Sequence, residues 1–211
     1  MRRKRTFLLL LLGVLIVVPW RVASGGPEDE SFVAAQTQKA LNWRKDRDVF
    51  FKNHQRSPLT PDQKTHFKAL KYYPFDPRYV FYGQIERYIL NSNNPEYFAT
   101  FLTNKGTNKR YVRYGKFRFQ LDGKNCSLEV FKSILSDNLF IPFKDNTNGK
   151  ETYEAGRYID TEILGGYKMG LDFNMAYPPS CAYNDKYVCV LPPKENSLTV
   201  EIRAGEKNYK P

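Results

Sequence analysis

Residues 116–123 read KFRFQLDG. Phe117, Phe119 and Leu121 alternate with Lys116, Arg118 and Gln120, so an extended chain carries the apolar side chains on one face and the polar ones on the other. Asp122-Gly123 supplies a tight turn, and residues 127–131 return as a second apolar run, which predicts a β-hairpin. Working outward, further strands are predicted at 79–87, 97–103, 139–143, 157–162, 167–174 and 198–203, with Gly165-Gly166 as another turn. The 15 Tyr and 15 Phe suit pleated, half-buried strands. The expected architecture is mainly β, an antiparallel sandwich or partly open barrel with short N-terminal helices.

Those helices come from two stretches upstream. Residues 31–53 mix Phe32, Ala35, Leu41, Val49 and Phe50 with many charges, which predicts a helical stalk or docking segment within 25–56. In SPLTP, residues 57–61, Thr60 can cap a helix, Pro61 fits its first position and Gln63 completes a capping box. His66, Phe67 and Leu70 are placed on or near the packing side of that helix. The remaining domain is assigned to 57–211.

At the N-terminus, Arg2, Arg3, Lys4 and Arg5 precede an apolar run over 7–18 that Pro19 closes. A helix over 7–20 reaches about 21 Å, short of the roughly 30 Å hydrocarbon core of a bilayer. Residues 1–24 are therefore expected to be a signal peptide cleaved after Ser24, with an uncleaved, tilted membrane anchor as the alternative. Either implies export to the cell envelope, periplasmic or extracellular. The net charge is +11; the leader's five cations, with no acid among them, leave about +6 on the rest. Those charges are interspersed with acids, so no nucleic-acid stripe is predicted, only weak, salt-screened attraction to an anionic envelope surface.

Polar residues concentrate in the last third of the chain. Asp145, Asn148, Arg157, Asp172, Asn174, Tyr177, Tyr183, Glu195 and Asn196 are the candidate ligand-binding residues. Strand alternation points Asp172 and Asn174 to one face, about 7 Å apart, and Arg157 from a neighbouring strand can join them. The plainer alternative is that these groups cap turns and satisfy buried backbone, with Arg157 paired to Asp145 or Asp172 for structure alone. Cys181 and Cys189 are candidates for a disulfide in an exported protein, leaving Cys126 unpaired. His54 and His66 lack ligand spacing with any cysteine, so no metal is predicted, and no cofactor motif is present.

The stretches IPFKDNTNGKETYEAGRYID (141–160), LDFNMAYPPSCAYND (171–185) and CVLPPKENSLTVEIRAGEK (189–207), with SPLTPDQKTHFKALKYYPFDPRY (57–79), closely resemble an uncharacterised prokaryotic family, domain of unknown function 1684. The likeness runs from about residue 45 to 209 in matching order and implies a shared fold, with no activity to transfer. The family's two cysteines match at Cys181 and Cys189. Where the family pattern has Asn after the tyrosine of the 177 loop, this chain has Pro178.

Three functions are compatible with the sequence. One is a non-enzymatic envelope domain that binds a glycan or peptide through the loop of Asp172, Asn174 and Tyr177 beside Arg157. Another is a hydrolase using paired acids among Asp145, Asp172 and Glu195. The third is a purely structural envelope component.

Overall fold

A computed structural model describes residues 30–209; the predicted leader lies outside them. The elements are α1 (Glu30–Asn53), α2 (Pro61–His66), β1 (Val80–Gln84), β2 (Glu86–Arg87), β3 (Phe98–Leu102), β4 (Asn108–Leu121), β5 (Lys124–Lys132), β6 (Leu139–Phe143), β7 (Arg157–Thr161), β8 (Ile163–Leu164) and β9 (Lys168–Asp172). Among the described residues no helix is long and apolar enough to cross a membrane.

The hairpin forms as its sequence dictates. β4 and β5 pair antiparallel, with Phe117 opposite Leu128 and Leu121 opposite Lys124. Asp122 (φ 49°) and Gly123 (φ 73°) make a turn whose twist matches the strands. The larger sheet runs β2-β4-β5-β6-β7, with β3 also on β4, and a smaller one runs β1-β9-β8. All these pairings are antiparallel. Phe81, Met169 and Leu171 of the small sheet pack with Phe117, Phe119, Leu128, Ile141, Phe143 and Ile159 of the large one in a single core cluster. The sheets do not close, so the fold is a mainly β sandwich.

One irregularity gives the large sheet a second packed face. Between Arg113 and Gly115 the β4–β5 register shifts, leaving Tyr114 as an extra residue. A bulge of this kind reverses which residues face the core. Beyond it Phe117 and Phe119 enter the main core, while before it Tyr111 packs on the opposite side with Phe101, Phe131, Phe140, Tyr158 and Val190. Gly115 sits where β2 crosses close, and a Cβ there would run into the Glu86 carbonyl.

Residues 198–203, expected to be a strand, form no regular ladder. Leu198, Val200, Ile202 and Ala204 are nonetheless buried in alternation, with a bend at 199–200. Its backbone bonds go to the β6–β7 loop, Leu198 N–H to Lys144 O at 2.8 Å and Asn146 N–H to Val200 O at 2.9 Å. Further along, the Arg157 side chain donates to the carbonyls of Ile202, Ala204 and Glu206. A guanidinium thus stands where a partner strand's N–H groups would be.

The capping box at Thr60 and Gln63 is formed. Phe67 and Leu70 are buried as expected, but His66 is exposed. α1 docks along the domain. Its Arg47 is 2.9 Å from Glu206, its Asp48 accepts from Leu70 N–H at 2.9 Å, and its Trp43 lies against Tyr72 and Tyr177.

Candidate functional site

The polar residues singled out in the sequence do not share a water-facing patch. Arg157 and Asp145 are paired at 3.2 Å with neither side chain exposed. Asp145 also accepts from Ile202 N–H at 2.8 Å and from the Thr147 hydroxyl at 2.7 Å. Asn174, fully buried, exchanges two 2.9 Å hydrogen bonds with the backbone of Asp76 and donates to Asp172. Asn196, also fully buried, ties Glu129 of β5 to Pro142 of β6 through three backbone hydrogen bonds. Asn148 accepts from Asp145 N–H and donates to Thr152 and Tyr153. Tyr183 is buried with its hydroxyl on Glu206. Glu195 is exposed on a separate turn.

The common cause is topology. A chain with a bulged sheet and a non-laddered C-terminal segment leaves many buried backbone groups, and these side chains satisfy them. Asp145, Asn148, Arg157, Asn174 and Asn196 are thus engaged with backbone groups and with one another. Cys126, Cys181 and Cys189 are free thiols in this structure. The Cys189 sulfur accepts the Cys181 N–H at 3.1 Å.

Tyr177, by contrast, opens on a cleft. It lines a cleft of about 470 Å³ on the second face of the large sheet, with Tyr111, Phe140, Tyr158 and Asp160. The register explains the grouping. In β7, Arg157 and Ile159 point inward, so Tyr158 and Asp160 point outward; across the ladder Asp160 faces Phe140, which in turn faces Phe131 of β5. Tyr111 stacks on Phe140 with ring centres 5.0 Å apart, and Tyr158 meets Phe140 edge-on at 4.9 Å. The 177 segment joins β7 through a Tyr158–Tyr177 bridge. Lys109, Ser133, Ser136 and Asn138 add polar groups to the lining, and Cys189 belongs to the wall.

The Tyr177 hydroxyl donates to the Asp160 carboxylate. Asp160 is open to the cleft yet flanked by protein, and burial raises its carboxyl above the ordinary value of 3.8 while Tyr177 and Arg47 pull it down. Burial and the Asp160 charge hold the Tyr177 hydroxyl well above its usual range, so it stays a donor. Behind Tyr177, the Arg47 guanidinium lies 4.7 Å over its ring. Asp160, Tyr158, Tyr111 and Phe140 are not among the residues that the sequence singles out. The available signal was the alternation of RYID over 157–160: with Arg157 inward, Tyr158 and Asp160 had to face the other way.

Asp160, Asp172 and Glu206 all have raised carboxyls, with burial the first cause in each. A raised folded-state pKa means the native state binds the proton that the unfolded chain has released, so stability falls as pH rises through the range just above 3.8 for Asp and 4.5 for Glu. Thermal melts across that range should show wild type losing stability more steeply than Asp160→Asn. Parallel curves for the two proteins would contradict the assignment.

Residues 65–207 match the family described as "Protein of unknown function (DUF1684)". Among solved structures, the chain is similar to the uncharacterized protein from gene locus rrnAC0354 of Haloarcula marismortui, determined in solution by NMR. Identity is 33% and the TM-score 0.65, over 85% of this chain and 97% of that one. No curated protein matches. The match spans both sheets, the Arg157–Asp145 pair and the cleft, and the chain belongs to the DUF1684 family of proteins of unknown function.

Proposed function

We propose that the domain is a non-enzymatic binding module of the cell envelope that takes a polar ligand, a glycan or peptide, in the cleft around Asp160 and Tyr177. One observation carries this reading: a carboxylate set among the rings of Tyr111, Phe140, Tyr158 and Tyr177 in an open cleft. Aromatic faces suit the apolar faces of sugars and of peptide side chains, and a carboxylate with serine, asparagine and lysine nearby suits hydroxyl and amide groups. The basic, apolar leader supports placement at the envelope.

The hydrolase alternative needs two carboxyls flanking one reacting centre. Asp145 is sealed with Arg157, Asp172 is bonded to Asn174, and Glu195 lies on a separate turn, so those three acids do not supply such a pair. Asp160 stands in the cleft without a second acid among the residues lining it.

Thermal-shift screening of the purified protein against glycans and peptides, followed by calorimetry on any hit, tests the proposal. Asp160→Asn is expected to weaken binding about tenfold, the loss of roughly 1.4 kcal/mol that one charge-assisted hydrogen bond supplies. A ligand that binds Asp160→Asn and Tyr177→Phe as tightly as wild type would place the site elsewhere.

A further inference from the structure

Cys181 and Cys189 lie at the two ends of a segment that forms part of the cleft wall: Ser180, Tyr187, Val188 and Cys189 all line it. Cys181 begins this wall in a short helical turn, Ser180–Ala182. Cys189 ends it, with its N–H held by Asn104 at 2.8 Å. The wall is thus anchored next to both thiols.

The two cysteines are neighbours. The Cys189 sulfur is 3.1 Å from the Cys181 backbone nitrogen, and each thiol shifts the other's proton affinity. The Tyr153 hydroxyl, 3.7 Å from the Cys181 sulfur, is a further partner. The roles within the pair are unequal. Cys181 is partly exposed, whereas Cys189 is buried, only 8% exposed. Hydrogen bonds from Cys189, Tyr153 and its own N–H, with Lys105 nearby, bring the Cys181 thiol down to about 7, while sharing its proton with Cys181 and burial push Cys189 up. A sulfur that is exposed and stabilised as thiolate attacks, and a protected neighbour resolves.

We infer that Cys181 and Cys189 form a redox-active dithiol, which a small-molecule disulfide converts reversibly to an intramolecular disulfide. The Cys181 thiolate attacks one sulfur of the external disulfide; a new S–S bond forms to Cys181, the old one breaks, and a thiolate leaves. Cys189 then passes its proton to solvent and attacks the Cys181 sulfur, expelling the second thiolate. Two protein thiols are oxidised and one external disulfide is reduced to two thiols. This inference stands apart from the ligand proposal, because neither sulfur has to touch the ligand. Cys126 is the internal control: its thiol is pushed up by burial and no hydrogen bond favours its thiolate.

The test uses the full chain, reduced and then equilibrated with mixtures of oxidised and reduced glutathione. Remaining thiols are trapped with a maleimide and located by peptide mass spectrometry. Cys181 and Cys189 should lose the label together, with Cys126 still labelled. In Cys189→Ser a glutathione adduct should accumulate on Cys181, and Cys181→Ser should slow modification of Cys189 by about tenfold or more. On wild type alone, the rate of Cys181 alkylation should rise through a midpoint near pH 7. Retention of both labels across the titration, adducts confined to Cys126, or an alkylation midpoint at the ordinary thiol value of 9.0 would each overturn the inference.

Discussion

Arg157→Ala is expected to remove about 3–5 kcal/mol of stability, the usual consequence of stripping one partner from a buried ion pair. Folded domains hold only about 5–15 kcal/mol in total, so the variant should unfold at much lower urea or fail to accumulate. The size follows from what the guanidinium does. It neutralises Asp145 where neither side chain is exposed, and it donates to the carbonyls of Ile202, Ala204 and Glu206. Deletion strands one charge and three acceptors at once, in a core where the Phe143 ring lies 5.3 Å from the guanidinium. Arg157→Lys separates the contributions. Lysine keeps the charge but cannot span carbonyls on one segment with a planar fork, so it should still cost about 1–3 kcal/mol for the acceptors left unpaired. Urea midpoints for both variants decide the matter, and an Arg157→Ala protein as stable as wild type would refute the account.

Arg157 also shows what could be read from the sequence and what could not. Period-two alternation locates a strand and its two faces, and the β4–β5 hairpin needed nothing more, whereas residues 139–143 are a continuous apolar run buried throughout. Alternation does not say which face a second sheet will cover. Arg157, from sequence either a ligand-site residue or the partner of Asp145 or Asp172, is the innermost residue of β7, because the small sheet closes over the side that carries Ile159. Once that face is inside, Tyr158 and Asp160 must lie outside, and the cleft follows. The bulge at Tyr114 was equally opaque: one extra residue in a long strand leaves no mark in the hydrophobic pattern, yet it moves Tyr111 onto the cleft side. Residues 198–203 alternate like a strand, but their backbone partners are a loop and a side chain, which only tertiary structure supplies. Conversely, the Thr60 cap and the Asp122-Gly123 turn depend on neighbours in sequence, and both form as read.

Glu206→Ala should be nearly as damaging, and its effect should extend to the cleft. Glu206 is fully buried at the side chain, pairs with Arg47 at 2.9 Å and accepts from the Tyr183 hydroxyl. Removing it leaves the Arg47 cation mostly buried without its counterion, a loss of about 3–5 kcal/mol. Arg47 also lies 4.7 Å over the ring of Tyr177 and 4.9 Å over Trp43, so α1 reaches the cleft through one guanidinium. When Arg47 is no longer held, the ring that positions the Asp160 hydrogen bond loses its backing. Glu206→Gln preserves the shape and one acceptor, and should therefore lose less stability while still loosening α1. Hydrogen exchange along α1, read with the Asp160-dependent slope of stability against pH, measures both consequences. Were α1 protection to vanish in Glu206→Gln with that slope unchanged, the helix would be a passive cover; a joint change makes Arg47 the mechanical link between the N-terminal helix and the ligand cleft.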